Sequence, residues 1–103
     1  MYTFEGTVLG ILKSERVFSD GKVKRTKKLA LKSRDYDDGG YRDVIEQFAL
    51  PKDPAEQKQF NDYQIGEVVN VCFSDKSFRD NNGRLVQYRV LIPDDLVANQ
   101  VDG

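Results

Sequence analysis

The 103-residue sequence has no histidine and a single cysteine. Without an imidazole to take up and return a proton near neutral pH, Ser-His-Asp and Cys-His nucleophile activation are excluded. Cys72 has no partner for an internal disulfide, and no Cys/His set exists to hold structural zinc, so a reducing compartment is the natural reading. No apolar run approaches the roughly 20 residues that span a bilayer. The N-terminal MYTFEGTVLG lacks the basic-then-apolar layout of a signal peptide. The expectation is a cytoplasmic protein without a membrane anchor. Gly-rich phosphate loops, nucleophile motifs and metal-ligand clusters are also missing, so no enzyme activity, catalytic residue, cofactor or metal is expected.

What the chain does have is charge, unevenly placed. Its 16 basic and 17 acidic residues give a net −1. Residues 13–34 nevertheless hold nine cations (Lys13, Arg16, Lys22, Lys24, Arg25, Lys27, Lys28, Lys32 and Arg34) against Glu15 and Asp20, a local +7 that leaves −8 elsewhere. Segregation on this scale marks a surface for a polyanion. The plainer reading is a solvated hairpin whose lysines keep an edge strand soluble.

Residues 2–12 are β-branched and aromatic, with Gly6 and Gly10 placed to bend a strand. After the turn Ser19-Asp20-Gly21, residues 22–33 place Val23, Leu29 and Leu31 at period two as a second strand. An Asp/Gly break at 35–40 leads to a third over 41–50. Asp53 as N-cap and Pro54 at the first helical position open a helix of about two turns, with Phe60 and Tyr63 toward the core. Val69, Val71 and Phe73 alternate as a fourth strand, Asp80-Asn81-Asn82-Gly83 turns the chain, and residues 84–93 form a fifth. Phe4, Phe48, Phe60 and Phe73 lie in phase with apolar neighbours and read as core, and Cys72 reads as a buried, inert thiol. Residues 94–103, with Asp94, Asp95 and Asp102 and no periodicity, read as a short acidic tail, frayed at the end of a domain spanning 1–93.

Three strands, a short helix and two strands in about 90 residues match the all-β, five-stranded Greek-key OB barrel, whose helix lies between strands three and four. An SH3-like barrel is the alternative. The stretch Y-x-x-G-x-x-V-x-V-x-F from Tyr63, with the later N-N-G-R before the closing strand, resembles the small bacterial and bacteriophage-type OB-fold single-stranded DNA-binding proteins. That resemblance implies a ligand across strands two and three, flanked by the first-to-second and fourth-to-fifth strand loops. It also implies a role in replication or recombination, and an acidic tail that recruits replication proteins.

Both implied loops pair cations with a ring. Residues 13–28 carry Lys22, Lys24, Arg25, Lys27 and Lys28 with Phe18; residues 75–84 carry Lys76, Phe78, Arg79 and Arg84. Cations follow phosphates and rings stack bases, which sequence-tolerant single-strand binding requires. On the second strand Lys24, Lys28 and Lys32 are out of phase with the core set. Arg25 and Lys27 have the other parity and join only if the hairpin projects beyond the barrel. Tyr41, opposite in phase to Val44 and Phe48, completes the set of candidate site residues. DNA and RNA are not separated by any feature that reads a 2′-hydroxyl, and homo-oligomers through an edge strand stay open. The rival function is an OB-type interaction module whose basic hairpin docks on an acidic protein. Asp35, Asp37, Gly40, Asp43 and Glu46 also fall on EF-hand calcium-loop spacing, but Gly39 and Arg42 spoil the pattern and Pro51 curtails the exit helix.

Overall fold

Period-two alternation becomes five strands: β1 (Tyr2–Val17), β2 (Val23–Asp37), β3 (Gly40–Ala49), β4 (Val68–Arg79) and β5 (Leu85–Ile92). Helix α1 (Pro54–Asn61) joins β3 to β4, and α2 (Asp94–Val101) follows β5. The computed structural model describes residues 1–101, with the side chains of all of these except Asp37 and 98–101. The strands close into a barrel in the order β1-β2-β3-β5-β4. β1 runs antiparallel to both β2 and β4, whereas β3 meets β5 in parallel through one pair, Ala49 and Val90. This order, with a helix between the third and fourth strands, is the OB topology. No helix among the described residues is long and apolar enough to cross a membrane.

β1 serves two neighbours by bending. Its first half pairs with β4, its second with β2, and the register shifts between Val8 and Gly10. Gly10 takes φ +144°, a conformation L side chains rarely adopt. At Gly6 a Cβ would lie 3.0 Å from the Lys32 carbonyl oxygen, so a side chain there would press on the neighbouring backbone. The core is filled by Val8, Leu29, Leu31, Phe48, Val71, Phe73 and Leu91, with Phe60 of α1 plugging one end. Phe4 packs against this cluster while partly exposed. α1 starts as its sequence dictates: the Asp53 carboxylate accepts the Ala55 N–H at 2.9 Å, with Pro54 next in line. Cys72 is half-buried rather than buried, because it sits on the parity opposite Val71 and Phe73.

The barrel is sealed by side chains where backbone pairing is thinnest. Across the β3–β5 seam Arg89 pairs with Glu46, and its guanidinium lies 4.9 Å from the Phe48 ring centre and 5.7 Å from that of Phe73. Residues 94–101, expected as a frayed end, form α2 instead. Pro93 begins the turn, Asp94 and Asp95 oppose the positive end of the helix dipole, and Gln59 of α1 accepts the Asp94 N–H at 3.0 Å. Asp102 lies outside the described residues.

Tyr63 packs edge-on against Phe60, with ring centres 5.8 Å apart. Burial pushes its phenol above the ordinary 10.0; the hydrogen bond from Gln59 opposes the rise, and the charges of Asp94 and Glu67 add to it. The folded chain therefore holds this proton more tightly than the unfolded one. That stability is complete below the unfolded value and is lost as pH rises through the folded value. Melting temperature should fall as pH rises above about 10, and Tyr63→Phe should flatten the decline. Identical alkaline profiles for parent and variant would contradict this role.

Candidate nucleic-acid interface

The strands run on where loops were expected. β1 and β2 stay paired out to Val17 and Val23, so the basic segment is a two-stranded ribbon and its connecting loop is only residues 18–22. β4 and β5 stay paired to Arg79 and Leu85, leaving residues 80–84 as the turn. The apolar alternation had stopped because both faces of these ribbons are wet. From residue 12 to 28 no side chain is buried, and Val23, expected in the core, is half exposed. Cross-strand contacts hold the ribbons instead, including a Ser14–Thr26 hydroxyl hydrogen bond and a Phe78–Tyr88 ring contact at 5.8 Å. The radius of gyration, 15.7 Å, exceeds the roughly 13 Å typical of 100 residues, as projecting arms require.

Register fixes what each face presents. Leu29 and Leu31 point inward with Phe48, so the neighbouring positions point out. On that outer face Lys28 lies opposite Ala49, Lys32 opposite Ile45, Arg34 opposite Asp43 and Tyr36 opposite Tyr41. β1 extends it with Leu12 opposite Lys28 and Arg16 opposite Lys24. Lys24, Lys28 and Lys32 thus form a cationic row ending at an open ring pair. Tyr36 and Tyr41 are 70% and 72% exposed, with centres 5.1 Å apart, and the Arg34 guanidinium lies 5.7 Å over Tyr41. Arg34 also approaches Asp43 at 3.8 Å.

Leu12, Ile45, Arg34 and Tyr36 belong to this face although they were not among the candidate site residues. The parity that selected Tyr41 also selects Ile45, which is 59% exposed. Leu12 was concealed because the apolar stretch 2–12 that ends on it has no clear period-two alternation.

The remaining candidates divide. Phe18 stands at the tip of the β1–β2 ribbon with the Arg16 guanidinium 5.3 Å over its ring. Lys22 closes the tip: its carbonyl accepts the Phe18 N–H at 2.8 Å, and its own N–H donates to Asp20 at 3.0 Å. Lys76 and Phe78 share the outer parity of β4, with Tyr88 opposite Lys76 and Val86 opposite Phe78 on β5. Arg79, expected beside Phe78, has the opposite parity and donates to the Gly83 carbonyl at 3.0 Å. Arg84 lies in the turn, where its N–H donates to Asp80 at 2.9 Å. Arg25 and Lys27 occupy the other face of the first ribbon, which does project. Strand polarity sends the β2–β3 and β4–β5 turns from one end of the barrel, and the β1–β2 turn and α1 from the other.

The EF-hand-like stretch is a β-hairpin, with Asp35 opposite Arg42 and Tyr36 opposite Tyr41. Among the described residues no group of three or more Cys, Asp or Glu side chains is placed to hold a metal ion.

The fold and this face together define an OB-type barrel with a cationic, ring-bearing outer sheet. No protein-family model matches the chain, and no curated protein matches it. Among solved structures it is similar to the small single-stranded DNA-binding protein from Streptomyces coelicolor, at 15% identity and a TM-score of 0.43, covering 88% of this chain and 85% of that one.

Proposed function

We propose that the protein binds single-stranded DNA with little sequence preference and without catalysis, in the reducing interior of a bacterial or phage-infected cell, in support of replication or recombination. The observation that carries this reading is the outer face of β2 and β3, where the row of Lys24, Lys28 and Lys32 leads to the exposed Tyr36–Tyr41 pair under Arg34. The lysines follow phosphates, the rings and Ile45 receive bases, and neither contact depends on base identity. Exposed rings that fill no core space have this use available, whereas a hairpin docking on an acidic protein needs only the cations.

Stacking is tested by truncation. Tyr41→Ala and Phe78→Ala should each cost about 1–3 kcal/mol of affinity for oligothymidylate. Tyr41→Ala should barely lower the melting temperature and Phe78→Ala should lower it by only a few degrees, through loss of its Tyr88 contact, since both rings lie outside the core cluster. A folded Tyr41→Ala protein that binds oligothymidylate as tightly as the parent would remove stacking from this face and favour the acidic-partner reading.

A further inference from the structure

The β1–β2 ribbon has two cationic faces, and the barrel face accounts for one of them. On the outer side Arg16 lies directly opposite Lys24; on the other side Lys13 lies directly opposite Lys27, with Arg25 beside them. Directly opposed side chains in an antiparallel ribbon are nearest neighbours, and like charges there destabilise the pairing. This ribbon carries one such pair on each side. Among the described residues Arg16, Lys24, Lys13 and Lys27 have no carboxylate partner, whereas Arg25 pairs with Glu15, directly opposite it on the second face, at 3.8 Å. Neither side is shielded, because the buried core ends at Leu29 and everything outward from residue 12 is open to water or half so. A ribbon of two strands is marginal by itself. Opposed cations on both sides make it worse unless polyanions lie on both.

From this we infer that the ribbon holds two single strands at once, one on each face, so that one molecule bridges two segments of single-stranded DNA. The inference rests on the single-strand reading above and adds a second binding surface, formed by Lys13, Arg25 and Lys27. Two phosphate chains held at lysine tips on opposite sides of one sheet are separated by about two Debye lengths, each roughly 8 Å at physiological salt. Their repulsion is therefore largely screened, and the cations facing each chain offset what remains. Bridging raises the concentration of each strand near the other, the condition under which complementary segments find one another.

The test uses the full chain with donor-labelled and acceptor-labelled oligothymidylates, which cannot pair with each other. Energy transfer between them is expected in a complex whose sedimentation mass corresponds to one protein and two strands. Lys13→Ala combined with Lys27→Ala should abolish the transfer and leave a complex of one protein with one strand, held on the outer face of β2 and β3. The variant's melting temperature should be no lower, because an opposed like-charge pair has been relieved. Arg16→Ala with Lys24→Ala should weaken single-strand affinity and transfer together. Transfer undiminished in the Lys13/Lys27 variant, or arising only from complexes with two proteins, would overturn the second surface. So would a parent that binds one strand tightly but gives no transfer. A parent that binds no oligothymidylate at all overturns the single-strand reading itself.

Discussion

Alanine at Lys24, Lys28 and Lys32 together is expected to weaken single-strand affinity roughly 50-fold at physiological salt and to reduce the log–log salt slope by about 2, since each lost phosphate contact removes about 0.7. All three side chains project from the outer face of β2 into solvent, and none contributes to the core cluster. Their removal should therefore leave stability within about 0.5 kcal/mol of the parent. Truncating Lys24 also relieves its opposition to Arg16. Fluorescence anisotropy at several salt concentrations reads both quantities. A folded triple variant with the parent's salt slope would remove this face from the binding surface.

The second large effect lies on the other side of the same sheet. Phe48 is fully buried, packs its ring 5.4 Å from Phe4 and 4.9 Å from Phe73, and lies under the guanidinium of Arg89. Phe48→Ala should cost about 3–5 kcal/mol of stability from lost transfer energy and the cavity left behind. That is a large share of the 5–15 kcal/mol typical of a domain. The damage falls at the β3–β5 seam, where one backbone pair and the Arg89–Glu46 ion pair close the barrel. Urea unfolding should show a much lower midpoint at an unchanged slope. Tyr41→Ala, seven residues away on the same strand but facing outward, should barely move that midpoint. Equal midpoints for the two variants would mean that the inward and outward faces of β3 have been exchanged.

Alternation of apolar residues around Leu29, Leu31, Phe48, Val71 and Leu91 was enough to place five strands, and Asp53-Pro54 was enough to start α1. The same signal could not measure the strands. Period two exists only where one face is buried and the other wet, so it fails along residues 13–17 and 76–79, where both faces meet water and the backbone nevertheless stays paired. Those segments looked like loops for that reason. Parity within β2 did place Lys24, Lys28 and Lys32 on a common side, and it separated Arg25 and Lys27 from them.

What remained hidden depends on residues far apart in the chain. Gln59 receives the Asp94 N–H and helps begin α2, and Glu46 meets Arg89 across the seam. No local pattern announces either contact. The Tyr36–Tyr41 pair needed the turn between them to be tight, which the Asp/Gly-rich stretch permitted but did not specify.

The central claim is that the outer face of β2 and β3 binds single strands through phosphates and bases together. It is tested most directly by titrating labelled single-stranded, duplex and RNA oligonucleotides of equal length with the full chain at low and at physiological salt. Single-stranded DNA should bind more tightly than duplex at both salts, with affinity falling steeply as salt rises. Duplex bound as tightly as single strand, or affinity indifferent to salt, would contradict it.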